Sequence, residues 1–310
     1  MRDLIKKMCN QQIVGQQLLA NLVMLMVIML WGVSFISIKI AVNEIPPTTM
    51  AMIRFSIASV LLLVLLKWIE PMTKIEKKDI PQIFLGGILG VTLYFYFENI
   101  GVKLTTAVNA SLIVTTVPII TIVIDVLFFR GSLSFWKVAG IILAAIGTYL
   151  AVTANGNIGF SSDSLWGNMF MLASMLAWAL YTFVTKNLQN KYSSLCLTTW
   201  QTVFGTIVLF PMSLMEYKDW QVFSLVAFGN VIFLAICCSV LCYILYLYVL
   251  KRLDVTITSL YLNLIPVVGV LSGYLLLHER VEPIQLLGGL VTILAIIIVN
   301  YSENRCKSSV

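Results

Sequence analysis

Charged residues are scarce in this chain. Its 20 lysines and arginines and 14 aspartates and glutamates make up 11% of 310 residues, while 60% of the residues are hydrophobic and the mean hydropathy is +0.96. A soluble domain carries about 25% charged residues, because charged side chains cover its surface. The composition therefore excludes a soluble globular protein and predicts an integral membrane protein.

Signals of several function classes are also missing. There is no GxxxxGK[ST] phosphate loop, and the longest polar segment, 70–79, is too short for a nucleotide-binding domain, which argues against ATP-driven transport by this chain alone. The single histidine, His278, has no partners for acid–base or nucleophilic chemistry, so we expect no enzyme activity. The six cysteines lie in apolar segments or at the termini, so we expect no disulfide, metal or cofactor.

Apolar residues occur in blocks of about 20, the length that crosses a hydrocarbon core of about 30 Å as a helix. These blocks predict an all-α integral membrane protein with ten transmembrane helices in two halves of five. We place the halves at 20–154 and 165–301, with tails at 1–19 and 302–310 and a linker rich in Gly, Asn and Ser at 155–163. The predicted helices are 22–42, 48–67, 82–101, 106–129, 136–154, 165–184, 196–215, 223–249, 256–277 and 284–301.

Lysine and arginine indicate the orientation, because positively charged loops stay on the cytoplasmic side. With ten spans, both termini lie in the cytoplasm, under a bacterial-type plasma membrane, and only Lys103, Lys218 and Arg280 fall outside. The cations are dispersed over short loops, so we interpret the net charge of +6 as an orientation signal and expect no nucleic-acid partner. The cytoplasmic cations are Arg2, Lys6, Lys7, Lys67, Lys74, Lys77, Lys78, Arg130, Lys137, Lys186, Lys191, Lys251, Arg252, Arg305 and Lys307.

The two halves share a sequence pattern. Residues 31–39 match 178–186 at an offset of about 147, and Pro118 matches Pro266 at an offset of about 148. Since five is an odd number of spans, the second copy enters the bilayer from the opposite side, and two inverted copies enclose a site that opens to either side. The pattern therefore predicts a central cavity between inverted repeats, with alternating access as the mechanism.

Short motifs recur in a fixed order along both halves: Trp31, Gly32, Ser34, Phe35, Lys39, Arg54, Phe55, Ala107, Asn109, Ala110, Ser111, Pro118, Trp178, Ala179, Ser259, Pro266, His278, Glu279 and Arg280. In order and spacing they resemble the EamA-type members of the drug/metabolite transporter superfamily. The resemblance implies a ten-helix transporter with inverted repeats, cytoplasmic termini and a central cavity, and many such proteins export amino acids or related metabolites. One departure is Gly131, which stands where the family often has an acidic residue like Glu279 in the second half.

Three charged residues lie within the outer halves of their predicted spans, namely Lys39, Arg54 and Glu98. An ionisable group in hydrocarbon is costly unless it is paired or faces water, so such residues mark functional sites. The two cations would keep Glu98 ionised and leave positive charge for a carboxylate or phosphate of a substrate. Alternatively, Arg54 and Glu98 form a structural pair, and Lys39 extends its ammonium to the headgroups. The second half has Gln201 in place of Arg54 and Tyr246 in place of Glu98.

Two carboxylates are candidates for proton coupling. Asp125 lies in the inner half of its span, where it could titrate as the cavity alternates, or could instead pair with Arg130 at the inner interface. We rank Glu98 above Asp125, because Glu98 lies among other charges within the membrane.

Two prolines occupy equivalent helices. Pro118 and Pro266 each lack a backbone donor and permit a bend, so we predict hinges there, although membrane helices also contain static proline kinks.

Aromatic and amide side chains complete the predicted cavity. Trp31 and Trp178 lie near the middle of their spans, where anchoring at the membrane interface does not explain them. Rings with polar tips suit an amphipathic solute, while the amides could equally form hydrogen bonds between helices without contacting substrate. The full set of cavity candidates is Trp31, Lys39, Arg54, Tyr94, Glu98, Asn109, Trp178, Tyr181, Gln201, Tyr246 and Asn263.

We therefore expect a secondary transporter whose partners are the lipid bilayer and a small amphipathic metabolite, with amino-acid export resting on the resemblance. The alternatives are efflux of cationic drugs or transport of a vitamin, nucleoside or sugar conjugate, with a non-transporting receptor as a remote one. The G-x-x-x-G spacings 86–90 and 269–273 predict close helix packing within the subunit first and a homodimer contact second.

Overall fold

The computed structural model describes residues 2–128, 135–153, 163–253, 258, 261–278 and 281–308, and in this part of the chain the structure is helical, with no strand. In the first half, α1 is Arg2–Val42, α2 is Pro47–Ile69, α3 runs through Ile80–Gly87, Ile88–Leu93 and Tyr94–Leu104, α4 is Ala107–Phe128 and α5 is Phe135–Thr153. In the second, α6 is Asp163–Leu188, α7 is Ser194–Leu214, α8 runs through Leu225–Phe233, Leu234–Leu241 and Cys242–Arg252, α9 is Ile265–Leu277 and α10 is Pro283–Ser308.

The predicted all-helical membrane fold is confirmed. Within the described residues, seven helices are long and apolar enough to cross a bilayer: α1 from Leu18, α2, α3 with the turn before it, α4, α6, α7 and α8. The apolar helices Ile265–Leu277 and Pro283–Ala295 are shorter. Helix extends into both predicted tails, since α1 begins at Arg2 and α10 continues to Ser308. Nearly all of the predicted linker, together with Arg130, Gly131, Glu279 and Arg280, lies outside the described residues.

Local sequence explains where several helices begin. Pro47 opens α2, because its fixed φ suits the first turn and its missing N–H would have no partner there. The hydroxyls of Thr106, Ser193 and Ser224 each accept a hydrogen bond from a backbone N–H in the first turn of α4, α7 and α8. Such side chains replace the partners that the first N–H groups of a helix lack. The connections can therefore be short, as between α1 and α2.

Helix packing is equivalent in the two halves. Helix α1 packs against α8 just as α6 packs against α3, while α2 packs on α7 and α5 on α10. Two contacts join residues to their own repeat equivalents: the hydroxyls of Ser59 and Thr206 lie 3.0 Å apart, and the rings of Trp31 and Trp178 meet edge to face at 5.3 Å. Equivalent residues touch in this way only where an approximate two-fold axis passes between them. Both pairs therefore mark the axis that relates the inverted repeats.

The two halves also share irregular turns. A π-helical segment interrupts α3 at Ile88–Leu93 and α8 at Leu234–Leu241. A 3₁₀ turn occupies Val114–Thr116 within α4, and another at Leu262–Leu264 leads into α9. Turns of both kinds are frequent at functional sites in helices.

The bundle has two chemically distinct ends. The lysine-rich end carries Lys67, Lys74, Lys77, Lys78, Lys191, Lys251 and Arg252, and the lysine-poor end carries Lys39, Lys103 and Lys218. At the lysine-poor end, the Glu216 carboxylate accepts hydrogen bonds from the backbone N–H groups of Thr48 (3.0 Å) and Thr49 (2.7 Å), at the start of α2. At the lysine-rich end, the Ser193 hydroxyl before α7 donates to Glu70 at 2.7 Å. The start of α2 is thus held by Glu216, which follows α7, and the start of α7 is held by Glu70, which follows α2.

Candidate functional site

An internal cavity lies beside the axis pair Trp31 and Trp178. Its volume is about 30 Å³, which is enough for about two water molecules, so a metabolite can enter only if the lining side chains move apart. Part of its lining is symmetric, because Val114 and Val117 face it from α4 and their equivalents Leu262 and Ile265 face it from the second half. The 3₁₀ turns before the two prolines therefore contribute directly to the wall.

Aromatic rings form the largest part of the wall. The Trp178 ring lies 5.1 Å from the ring of Tyr94, 5.7 Å from that of Tyr243 and 5.0 Å from that of Tyr246, measured between centroids. Tilted and edge-to-face pairs at these distances are favourable arrangements of aromatic quadrupoles. The cluster presents flat apolar surface with polar edges, which suits an amphipathic solute.

Arg54 lines the cavity from α2 and is only 2% exposed. Its Nε donates to the Ser239 hydroxyl at 2.7 Å, and its guanidinium lies 4.4 Å above the centroid of the Phe95 ring. These contacts hold the side chain in one orientation through a hydrogen bond and a cation–π interaction. Its Nη1 is buried and has no hydrogen-bond partner. A positioned cationic donor is therefore available to an anion in the cavity.

Glu98 supplies the opposite charge from α3 and is 3% exposed. Its Oε1 accepts a hydrogen bond from the Tyr94 hydroxyl at 2.7 Å, while Oε2 is buried without a partner. Within the described part of the chain, the salt bridges involve lysines at the lysine-rich end, and Arg54 and Glu98 form none with each other. In this structure the two groups are therefore not joined by a direct ion pair. Both charges face the cavity with one polar atom unused.

Lys39 does not line the cavity. Its ammonium donates to the backbone carbonyls of Val102 (2.9 Å), Lys103 (3.1 Å) and Thr105 (2.5 Å), where α3 ends. These carbonyls lack partners within their helix, and a cation there also interacts favourably with the helix dipole. The repeat equivalent Lys186 makes the same kind of contact at the end of α8.

Two amide candidates also lie away from the cavity. The Asn109 carbonyl oxygen accepts from Gln285 at 2.7 Å, which joins α4 to α10. Gln201 donates to the Thr185 hydroxyl at 2.9 Å, between α7 and α6. Each amide thus makes a hydrogen bond between helices, as buried amides commonly do, although the side-chain oxygen of Gln201 is buried without a partner. The side chain of Asn263 lies outside the described residues.

The remaining candidates surround the site. Tyr181 and Tyr246 are fully buried in the aromatic cluster behind the lining, with the Tyr181 ring 5.2 Å from that of Trp178. Pro118 and Pro266 each lie two residues after the end of a 3₁₀ turn that forms part of the wall. Asp125 is half-buried and lies beyond the lining, seven residues after Pro118.

Sequence reasoning missed Tyr243, Phe95 and Ser239. Tyr243 lies one helical turn before Tyr246 and is the repeat equivalent of Phe95, so the repeat alignment contained a signal for both. Ser239 had no such signal, since a lone serine in an apolar helix is common. Within the described residues, no group of three or more His, Cys, Asp or Glu side chains could hold a metal ion.

Comparison with known proteins agrees with this architecture. The model of the EamA-like transporter family matches residues 18–153 and 165–301. Two uncharacterized transporters of Archaeoglobus fulgidus are 28% identical over 286 residues (92% of this chain, 98% of the relative) and 30% identical over 278 residues (90% and 97%). A probable terminal-alkyne amino-acid exporter of Streptantibioticus cattleyicolor is 23% identical over 277 residues (89% and 92%). One solved crystal structure shares the fold, with a TM-score of 0.68 at 17% identity over 93% of this chain and 98% of the other.

The fold and the cavity define an integral membrane transport protein built from two inverted helical repeats. More particularly, the chain belongs to the EamA-like transporter family, with one family repeat in each half. Both the family and these relatives carry the names of transporters rather than enzymes, and a small-molecule substrate follows from that membership.

Proposed function

We propose that this protein is a secondary transporter that exports amino acids or closely related zwitterionic metabolites across the plasma membrane by alternating access. One observation carries the substrate class: Arg54 and Glu98 face a single aromatic cavity without pairing with each other, and each has a buried polar atom without a partner. Export is supported by the name of the Streptantibioticus relative, and alternating access by the inverted repeats.

The two charges match the two ends of an amino acid. Arg54 Nη1 can donate to the substrate carboxylate, and Glu98 Oε2 can accept from its ammonium. A buried charge without a full set of partners is costly, and a zwitterion offers both missing partners at once. The aromatic wall would then receive the side chain of the substrate. A bound amino acid would therefore supply the partners that these two atoms lack within the protein.

We place proton coupling at Glu98 rather than Asp125. Glu98 faces the cavity, so its carboxylate can meet either a proton or a substrate ammonium, whereas Asp125 lies outside the lining. Pro118 and Pro266 are the proposed hinges, because the turns before them line the cavity from equivalent positions.

Efflux of cationic compounds is the second candidate. Aromatic faces around one carboxylate favour an organic cation through cation–π contacts. Arg54 in the same cavity opposes that candidate, because a cationic substrate would lie beside an unpaired guanidinium.

The test is efflux of an isotope-labelled pool of amino acids and other metabolites from cells that express the wild type or Arg54→Gln. Glutamine already stands at the equivalent position of the second half, so it suits this helix pair. We expect faster loss of carboxylate-bearing solutes with the wild type, and a reduction of about tenfold or more in Arg54→Gln, since hydrogen bonds to charged groups are the strong ones. Arg54→Lys should retain part of the activity.

Arg252→Gln is the matched control, because it removes the same charge from an exposed position outside the cavity. Equal loss of the pool with and without the wild-type protein would refute amino-acid export. Faster loss of amines that lack a carboxylate would favour the cation candidate instead.

A further inference from the structure

We propose that the indole N–H of Trp178 is a second hydrogen-bond donor for the substrate carboxylate, and that the hydroxyl of Tyr243 keeps this donor free. The inference rests on the proposed function, because it names the atoms that meet the carboxylate of that substrate. It follows from a difference between the two repeats at otherwise equivalent positions.

The difference begins in the π-helical segments of α3 and α8. In an ordinary helix, the N–H of Tyr94 would bond to the carbonyl of Gly90, and the N–H of Cys242 to that of Cys238. Here Tyr94 bonds to the carbonyls of Leu89 and Val91, and Cys242 bonds to that of Cys237. The carbonyls of Gly90 and Cys238, which are repeat equivalents, are thereby left for donors from other helices.

The two free carbonyls take different donors. Trp31 Nε1 donates to the Cys238 carbonyl at 3.1 Å, whereas the Tyr243 hydroxyl donates to the Gly90 carbonyl at 2.9 Å. The repeat equivalent of Tyr243 is Phe95, which has no hydroxyl to compete with Trp31. The hydroxyl of Tyr243, which Phe95 lacks, thus occupies the carbonyl that Trp178 would otherwise reach, while Trp31 keeps its carbonyl partner.

Trp178 is left without the contact that its equivalent makes. Its Nε1 is buried and has no hydrogen-bond partner, although the side chain lines the cavity beside Arg54. The neighbouring Tyr246 hydroxyl is close enough to interact with the Trp178 indole, but the two groups do not meet at full hydrogen-bond geometry. Buried donors in native proteins nearly always have a partner, so an unused N–H in a binding cavity indicates one supplied by the ligand.

A carboxylate has two oxygens and accepts several hydrogen bonds. The cationic Nη1 of Arg54 and the neutral N–H of Trp178 can each serve one of them, while Glu98 receives the ammonium. Tyr243 is then a positioning residue, because it acts on the carboxylate site only through Trp178.

The test uses purified full-length protein in liposomes and a labelled pool of the twenty amino acids, each accompanied by the amine that remains when its carboxylate is removed. The readout is the initial rate for an amino acid divided by that for its amine. Tyr243→Phe frees the Gly90 carbonyl for Trp178, so we expect this ratio to fall about tenfold. Trp178→Phe should lower the ratio by a similar factor.

Two variants serve as matched controls. Trp166→Phe removes an indole N–H from an exposed position near the start of α6, outside the cavity lining, and should leave the ratio unchanged. Tyr246→Phe should also leave it unchanged, unless the hydroxyl of Tyr246 is the real partner of Trp178. A lowered ratio in Tyr246→Phe would therefore overturn the inference.

A second readout follows the indole directly. In ¹⁵N-tryptophan spectra of the unliganded protein, the Trp178 indole signal, identified by its loss in Trp178→Phe, should move in Tyr243→Phe toward the hydrogen-bonded position that Trp31 shows in the wild type. An unmoved signal would overturn the inference.

The outcomes separate the two proposals. If the wild type moves none of the pool, both fall. If Arg54→Gln abolishes transport but Tyr243→Phe and Trp178→Phe slow amino acids and amines by the same factor, the proposed function stands and this inference falls. A loss of preference confined to Tyr243→Phe and Trp178→Phe supports both.

Discussion

At the scale of single residues, Lys39 and Lys186 each cap the C-terminal end of a neighbouring helix. Each extends from the last turn of its own helix to the carbonyls that end a helix of its own repeat, at α3 and α8 respectively. An ammonium that satisfies several terminal carbonyls replaces partners that these carbonyls lack within their own helix. We therefore expect a structural role for them, at the ends of the two helices that carry Glu98 and Tyr243.

We expect Lys39→Met to destabilise the protein by about 2 kcal/mol, because the carbonyls of Val102, Lys103 and Thr105 lose a charged donor. Thermal unfolding in detergent, followed by tryptophan fluorescence, measures this. Lys67→Met, at an exposed position in the last turn of α2, is the control and should have little effect. A change in substrate preference with unchanged stability would contradict the capping role and return Lys39 to the cavity.

The sequence pointed to the charged residues of the candidate site but not to the contacts that each one makes. Arg54 and Glu98 could be predicted, because an ionisable group in hydrocarbon needs a functional or structural reason. The role of Lys39 could not be predicted from the sequence. Whether its ammonium extends to the headgroups or caps a neighbouring helix depends on where the end of α3 lies relative to α1. Asn109 and Gln201 were similarly open, because only the rotation of each helix about its axis decides whether an amide faces substrate or a neighbour.

At the scale of elements, α3 and α7 approach each other at two glycines. A Cβ atom added at Gly205 would lie 2.7 Å from the carbonyl oxygen of Gly87 and 2.5 Å from Cβ of Val91. A Cβ atom at Gly87 would lie 2.5 Å from the carbonyl oxygen of Gln201. Backbone atoms cannot yield as flexible side chains do, so this contact requires glycine on both helices.

Gly205→Ala should therefore destabilise the protein by about 1–3 kcal/mol through overpacking. Gly229→Ala in α8 is the matched control, because nothing lies within 4 Å of its added Cβ atom, and helix propensity makes the change neutral or slightly stabilising. Thermal unfolding of the two variants beside the wild type measures both effects. Equal stability of the two variants would show that α3 and α7 are less closely packed than the structure indicates.

The helices themselves were largely predictable, whereas their irregular turns were not. Hydropathy locates an apolar block of about 20 residues, and the prolines indicated the region of the 3₁₀ turns. The π-helical segments change the hydrogen-bond register by one residue without changing the apolar pattern, so no periodicity reveals them. The free carbonyls of Gly90 and Cys238, and hence the role of Tyr243, depend on that hidden shift. The glycine spacing 86–90 does pack within the subunit, against Gln201 and Tyr181.

At the scale of the whole molecule, the lysine-rich end is held by ionic contacts between the halves. Lys191 Nζ lies 2.8 Å from Asp79 and 3.4 Å from Glu76, and the Tyr192 hydroxyl donates to Asp79 at 2.7 Å. At the lysine-poor end, Glu44 instead accepts from the backbone N–H and hydroxyl of Ser224. If access alternates between the two ends, the contacts of Lys191 must break when the lysine-rich end opens.

These ionic contacts predict a pH window. The hydrogen bond from Lys78 and the charge of Lys191 lower the pKa of Glu76. The contribution of Glu76 to the stability of the folded protein is therefore complete above the ordinary pKa of 4.5, and it is lost as the pH falls through the lowered pKa. The hydrogen bond to Asp79 raises the pKa of Lys191. The contribution of Lys191 to stability is therefore complete below the ordinary pKa of 10.5, and it is lost as the pH rises through the raised pKa. The contacts therefore persist between those ordinary values and weaken outside them.

Asp79→Asn should open the lysine-rich end about two- to fivefold more often at neutral pH, because an exposed ion pair contributes little and the change removes only one partner. The reporter is the thiol of Cys196, which is buried at the start of α7, in protein with Cys9 and Cys306 replaced. The measurement is the maleimide labelling rate of Cys196, assigned by mass spectrometry. Lys218→Met at the other end is the control, and equal rates in Asp79→Asn and wild type would exclude this role for the contact.

The contact between Ser59 and Thr206 has a consequence for how motion can be observed. When two inverted repeats exchange conformations, each contact in one half is replaced by the equivalent contact in the other half. A contact between a residue and its own repeat equivalent is its own counterpart, so the exchange leaves it unchanged. The Ser59–Thr206 and Trp31–Trp178 distances would therefore be the same before and after the exchange. Spin labels placed along this line are the stationary reference against which the travel of every other part can be measured.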